Sequence, residues 1–172
     1  MTRAAAPGRY WLGLGANLGD REGALRDAVA WLQAEGFAPE AVSAVYETAP
    51  RDRIDQPHFM NAACRVRSDA SPPDMLAAAK RLEIALGREP GPRFGPRAID
   101  CDLLVWSGGV WGDAHLEIPH PRLPERLFAL RPLLDLDPAL VLPDGRRIAA
   151  LASSIDPMDQ PIRRIGPLAP LG

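Results

Sequence analysis

A chain of 172 residues, 47% hydrophobic and 24% charged, is long enough for one domain with its own core and short for two. A formal net charge of -2 excludes a general electrostatic attraction for nucleic acid or an anionic membrane, so any polyanion must be held locally. The opening MTRAAAPGRYWLGLG lacks a signal-type apolar run and nowhere do 18 apolar residues follow one another, so the expected location is cytoplasmic.

Tyr10 to Gly15 reads as a first strand, with a turn at Ala16 to Gly19. From Asp20 onward, Leu25, Ala28, Val29 and Leu32 recur at helical spacing and Gly36 lies just past the expected end. Val42 to Thr48 alternates as a strand. A loop from Ala49 to Pro57 leads to a third strand, Phe59 to Arg67, with Met60, Ala62, Cys64 and Val66 on one face and Phe59, Asn61 and Ala63 on the other. Ser71, Pro72, Pro73 and Asp74 form a helix start, Met75, Ala79, Leu82 and Leu86 its buried stripe, and Gly87 its end. An irregular stretch, Arg88 to Ala98, precedes a fourth strand from Ile99 to Trp106.

The order is β-α-β-β-α-β. It predicts an α+β, ferredoxin-like fold in which an antiparallel sheet packs its helices on one face and leaves the other for a ligand. After Trp106 come a Gly-containing turn, the segment EIPHPRL and a helix near Glu125 to Leu130, as C-terminal additions to the same domain. Beyond Pro143 the spacing allows a short helix at Ile148 to Ser153 and then an end with no predicted structure. The chain therefore reads as a single domain, 1–172, with its core at about 9–143 and a tail at 144–172. Cys64 and Cys101 lie in apolar strands, which predicts two reduced, buried thiols rather than a disulfide.

The sharpest chemical feature is Asp100-Cys101-Asp102 at the head of the fourth strand, because alternate strand residues project to one face. Two neighbouring carboxylates are costly to hold together unless a cation lies between them, and hard oxygen donors suit magnesium shared with substrate phosphates. Taken alone, D-x-D is more often an exposed pair at a strand end. The preceding segment shifts that balance, since Arg88, Arg93 and Arg97 stand among Pro90, Gly91, Pro92, Gly95 and Pro96, where guanidinium forks can meet phosphate oxygens. Phe59 and Asn61 on one strand face offer an aromatic plane beside an amide, which suits a flat heterocycle, although a core phenylalanine beside a turn-capping asparagine is the commoner arrangement. His120, between Pro119 and Pro121, can contact a phosphate or simply shape a turn.

Gly13, Gly15 and Gly19 in GLGANLGD are a poor dinucleotide fingerprint, because the strand order is hairpin-like rather than parallel. No P-loop, G-x-S-x-G, C-x-x-C or H-E-x-x-H occurs. A metal-dependent nucleotidyltransferase or cyclase would also place carboxylates on such a sheet, and a non-catalytic ligand-binding module of the same fold would not need the paired acids at all.

In order, GLGANLGD, SAVYETAP, DQPHFMNAA, LEIALGR, RFGPRAIDCDLL and IPHPRLPERLFALRPL resemble the 6-hydroxymethyl-7,8-dihydropterin pyrophosphokinase family over about residues 9 to 143. The resemblance implies transfer of pyrophosphate from ATP to the pterin hydroxymethyl group in folate biosynthesis, with AMP released. It implies Asp100 and Asp102 as ligands of two magnesium ions (Mg2+) and, with Arg93 and Arg97, as the catalytic set, the arginines looking like lid residues. ATP binding would fall to Lys80, Glu83, Arg93, Arg97, Leu103, His120 and Arg126. Phe59 and Phe128 look like the planes that sandwich the pterin, with Asn61, Thr48, Ala49, Arg51 and Phe94 also on the pterin side. Ala16, Ala49-Pro50-Arg51 and Phe94 depart from the family's commonest pattern. The implied partners are the two small-molecule substrates, with no nucleic acid and no membrane, and the implied state is a monomer.

Overall fold

A computed structural model describes residues 8–50, 55–87 and 98–168. Alternation along β1 (Arg9–Ala16) decides the architecture. Tyr10, Leu12, Leu14 and Ala16 point into one core, while Trp11 points into a second core on the opposite side of the sheet. The strand is therefore sandwiched, which is why it reads as a nearly continuous apolar run rather than a simple alternation.

The first core is closed by two helices. α1 (Arg21–Ala34) starts where the Asp20 carboxylate accepts from the Gly23 N–H at 2.9 Å, and it buries Leu25, Ala28 and Leu32. α2 (Pro72–Ala85) starts at Ser71, whose hydroxyl accepts from the Asp74 N–H at 3.3 Å, with Pro72 and Pro73 preset for the first turn. It buries Met75, Ala78, Ala79 and Leu82, and Gly87 follows with φ of +89°, a left-handed conformation that suits glycine at a helix end. Burying a leucine or methionine in such a place contributes about 2 kcal/mol.

The remaining sheet strands are β2 (Ala38–Val42), β3 (Ala44–Thr48), β4 (Phe59–Arg67), β5 (Asp100–Trp106) and, near the C-terminus, β8 (Ile162–Pro167). Their order is β5-β1-β4-β3-β8, with β2 also paired to β4, and every pairing is antiparallel. The ferredoxin-like βαββαβ arrangement expected from the sequence is thus the one observed. On β4, Ala62, Cys64 and Val66 enter the helix-side core and Ala63 the opposite one, as the alternation predicted. Cys64 and Cys101 are both buried and free, on strands separated by β1, and burial pushes the Cys64 thiol up to about 12.

Four expectations are corrected. The single strand Val42 to Thr48 is two, β2 and β3, broken at Ser43. There the hydroxyl accepts from the Ala63 N–H at 2.8 Å and donates to the Ala44 carbonyl at 2.8 Å, so a side chain stands in for a ladder partner. The helix near Glu125 to Leu130 is α3 (Leu127–Leu136), which continues through Pro132 because Leu127, Leu130 and Leu133 all bury against the sheet. The second sheet face is only partly left for a ligand, since α3 and α4 (Ile148–Ser153) pack over Trp11, Ala63, Leu104 and Val105. The end of the tail carries structure: β8 pairs with β3, and the Arg163 guanidinium meets Glu47 at 3.0 Å. A small hairpin of β6 (Trp111–Gly112) and β7 (Glu117–Ile118) follows β5, and a 3-10 turn at Leu123–Glu125 leads into α3.

Candidate functional site

Residues paired across antiparallel strands present their side chains on the same face. The pairings Tyr46 with Asn61, Asn61 with Gly15 and Gly15 with Asp100 make one row across β3, β4, β1 and β5, on the side opposite α1 and α2. The next row is Ala63, Gly13 and Asp102, and on the other flank Thr48 stands opposite Phe59. Asn61 and Asp100 are two strand spacings apart, roughly 10 Å between backbones, with glycine between them.

Above these rows lies a cavity of about 280 Å³. Its floor is Gly13, Gly15, Phe59, Asn61, Asp100, Asp102 and Leu104; Thr48, Ala49, Pro50 and Gln56 form one wall. Lys80 and Glu83 reach it from α2, and His120, Arg122, Leu123, Arg126, Phe128 and Ala129 close it from the segment that ends in α3. The second face is open at this end because α3 and α4 cover the other.

The site's polar groups are held by one another and by the neighbouring backbone. Asn61 is 6% exposed, and its Nδ2 donates to Thr48 Oγ1 at 2.7 Å, which sets the amide's orientation. Glu83 is 3% exposed; its Oε2 accepts from the Cys101 N–H at 3.0 Å, and its Oε1 lies 3.6 Å from Lys80 Nζ. Because β5 is the sheet's edge, that N–H points away from β1, and Glu83 gives it a partner between the two aspartates. Gln56 accepts from Asn17 Nδ2 at 2.9 Å, and Arg21 Nη1 donates to the His58 carbonyl at 2.9 Å, bracing the approach to Phe59.

His120 Nδ1 accepts from the Arg122 N–H at 3.2 Å, which leaves Nε2 as the protonated nitrogen. Burial holds the imidazole below its ordinary value; Asp102 pulls it up, and Arg126 and Arg122 push it further down. The ring is therefore neutral at pH 7 and a donor through one nitrogen. The Arg126 guanidinium carbon lies 5.5 Å from the centre of the Phe128 ring, so cation and aromatic plane share one wall.

Asp100 and Asp102 suit a hard divalent ion. Both line the cavity and alternate on one strand, and Asp102 is exposed to it. Among the described residues no group of three or more His, Cys, Asp and Glu side chains could hold a metal by itself. Two carboxylates are the protein's usual share for magnesium, which completes its octahedron with water and substrate phosphates.

Of the residues expected in the site, Thr48, Ala49, Phe59, Asn61, Lys80, Glu83, Asp100, Asp102, His120, Arg126 and Phe128 come together around this cavity. Leu103 does not: its side chain is 3% exposed in the helix-side core, so only its backbone can face a ligand. Arg51, Arg93, Phe94 and Arg97 lie outside the described residues. Gln56 and Arg122 line the cavity without having been singled out. Arg122 follows His120 by two residues in PHPR, and Gln56 stands in the same DQPHFMNAA segment as Phe59 and Asn61, so both were within reach of the sequence.

A model of the family described as 7,8-dihydro-6-hydroxymethylpterin-pyrophosphokinase (HPPK) matches residues 11–138. The 2-amino-4-hydroxy-6-hydroxymethyldihydropteridine pyrophosphokinase of Methylorubrum extorquens is 39% identical over 150 residues, which cover 87% of this chain and 94% of that protein. The enzyme of the same name from Bacillus subtilis is 39% identical over 127 residues, 73% of this chain and 76% of its own. The mitochondrial folate synthesis bifunctional protein of Pisum sativum is also 39% identical, but this chain spans only 24% of its length. Among solved structures, an HPPK-DHPS in complex with substrates superposes with a TM-score of 0.70 at 14% identity, over 87% of this chain and 43% of that one. The wild-type Plasmodium falciparum HPPK-DHPS superposes at 0.66 with 14% identity, over 86% of this chain and 44% of its own. Both support the fold. Among the described residues no helix is long and apolar enough to cross a membrane. By sequence along most of its length, and by the sheet that carries its cavity, this chain belongs to the 7,8-dihydro-6-hydroxymethylpterin pyrophosphokinase family.

Proposed function

We infer that the cavity over the row Asn61, Gly15 and Asp100 is where this chain transfers pyrophosphate from ATP to 6-hydroxymethyl-7,8-dihydropterin, a step of folate biosynthesis. The observation that carries this reading is the row itself, which puts a ring-reading amide and a metal-binding acid pair on one floor with no side chain between them. In the proposed arrangement Phe59 and Phe128 bracket the flat ring, and Asn61, steadied by Thr48, reads its edge. Ala49 and Pro50 border the same side.

ATP lies toward β5 and α2. Asp100 and Asp102 would hold magnesium, in the proposed form two ions, which would supply neutralising charge to the phosphate oxygens. His120 donates through Nε2 to a phosphate, and Arg122 and Arg126 add positive charge across the cavity from the acids. Lys80 and Glu83 border the nucleotide side from α2, and Glu83 also fixes the β5 backbone. The pterin hydroxymethyl oxygen attacks the β-phosphorus and gives up its proton to solvent, the bond from the β-phosphorus to the α,β-bridging oxygen breaks, and AMP leaves. No protein nucleophile is required; the residues act by alignment and by placing charge where it develops. The nucleotidyltransferase alternative leaves Phe59, Asn61 and Phe128 without a task.

Two free buried thiols support a reducing, cytoplasmic setting, and action as a monomer is proposed with it. We propose further that 1–172 works as one domain, since β8 of the tail completes the same sheet. The test is AMP release from ATP and Mg2+ with and without the hydroxymethyl pterin. Strict dependence on the pterin is expected; equal release without it overturns the reading.

A further inference from the structure

The glycine pair in GLG is not explained by a phosphate-binding loop, and the site gives it another task. Gly15 is paired with Asn61 on one side and Asp100 on the other. Its backbone does not require glycine, because among the described glycines positive φ is confined to Gly19, Gly36, Gly87, Gly109, Gly145 and Gly166. Space does. A methyl group on Gly15 would lie 2.9 Å from Asn61 Oδ1, whereas its next neighbours, Phe59 Cδ1 and the Met60 carbonyl, stand at 3.8 and 4.0 Å.

The Asn61 amide cannot yield freely. It is 6% exposed and donates to Thr48 Oγ1 at 2.7 Å, so turning away from a methyl group means breaking that bond inside a buried site. Gly13, one row along, differs: a methyl group there would meet the end of the Leu104 side chain at 3.1 Å, an apolar group with no hydrogen bond to break.

We propose that Gly15 is a positioning residue for pterin recognition, in that its missing side chain is what lets Asn61 keep the amide orientation that reads the ring. This rests on the assignment of Asn61 to the pterin edge. It makes Gly15 a specificity element acting through one neighbour, not a phosphate cradle.

The test is a double-mutant cycle of Gly15→Ala and Asn61→Ala. Pterin affinity is measured by calorimetry with Mg2+ and a non-hydrolysable ATP analogue present, alongside affinity for that analogue and the Tm. Gly15→Ala is expected to weaken pterin binding at least tenfold and to leave analogue affinity within threefold. Asn61→Ala is expected to weaken pterin binding to a similar extent. In the Asn61→Ala background the glycine substitution should add less than twofold, because the atom it collides with is gone. If Gly15→Ala proves too unstable to assay, the double variant should regain the Tm of Asn61→Ala alone. Normal pterin binding by Asn61→Ala would remove the assignment beneath this inference. Weakened binding by Asn61→Ala with normal binding by Gly15→Ala would overturn the inference alone. So would effects that multiply in the double variant, or a double variant that stays unfolded.

Discussion

The two ends of one sheet face use charge in opposite ways. At the end away from the cavity, Arg9 and Arg67 are paired across β1 and β4, and Arg65 stands opposite Trp11. Three like charges gather there, and they are closed off by carboxylates. Glu40 meets Arg9 at 2.8 Å, Arg65 at 3.3 Å and Arg67 at 3.2 Å, while Asp137 meets Arg65 at 2.9 Å and accepts from the Trp11 indole. At the cavity end, Asp100 and Asp102 are set on neighbouring rows and line one cavity with Arg122, Arg126 and His120. The first arrangement spends its charge on itself and ties β2, β4 and the end of α3 together. The second gathers acids, arginines and a histidine around one cavity that a polyphosphate and a metal can enter.

This contrast predicts that the two ends can be damaged separately. The largest effect is expected from Asp100→Asn combined with Asp102→Asn. Turnover measured as AMP release should fall at least about 1,000-fold, since the change removes charge stabilisation aimed at the reacting phosphate. The Tm should hold or rise slightly, because two neighbouring like charges are gone. A parallel collapse of Tm and turnover would show that the acids support the fold instead.

The reverse pattern is expected of Arg65→Met. Its side chain is only 22% exposed, and its guanidinium bridges Glu40 and Asp137. Removing it leaves both carboxylates short of a partner and should cost about 1–3 kcal/mol, less than a fully buried pair because water reaches the site. That corresponds to a Tm lowered by roughly 3–9 °C for a chain of this size. Turnover below the new Tm should stay within about threefold of wild type; a larger loss would couple the two ends.

The smallest effect concerns pH. The Arg9 hydrogen bond holds the Glu40 carboxyl below the usual carboxylate range, Arg65 adds to this, and burial opposes it. A carboxyl whose folded value is depressed contributes stability above its unfolded value, about 4.3, and loses it as pH falls through the lower folded value. Glu40→Gln should therefore lower the Tm by about 2 °C at pH 7, with the difference from wild type shrinking below about pH 4. Thermal melts across pH 3–7 check this; a constant difference would place the stabilisation in packing instead of charge.

Much of this was legible in the sequence, for identifiable reasons. The strand Phe59 to Arg67 was found within its bounds because alternate residues enter two different cores. α2 was found because Ser71 and two prolines announce its start. Asp100 and Asp102 share a face by strand geometry alone. What escaped has equally plain causes. β8 is largely exposed along IRRIGP, so it shows no burial period, and its place is set by pairing with β3. α3 runs past Pro132, a local stop signal that the buried leucines override. The orientation of Leu103 follows from its position between Asp102 and Leu104, which alternation could have revealed. The role of Gly15 was hidden because it depends on which residue lies opposite, a fact of register.

The role proposed for Asp100 and Asp102 is to hold the metal that joins nucleotide to protein. It is tested most directly by titrating a non-hydrolysable ATP analogue into wild type and into the Asp100→Asn, Asp102→Asn variant, each with and without Mg2+. Mg2+ should tighten binding to wild type at least tenfold and to the variant less than twofold. Equal tightening in both proteins would contradict it.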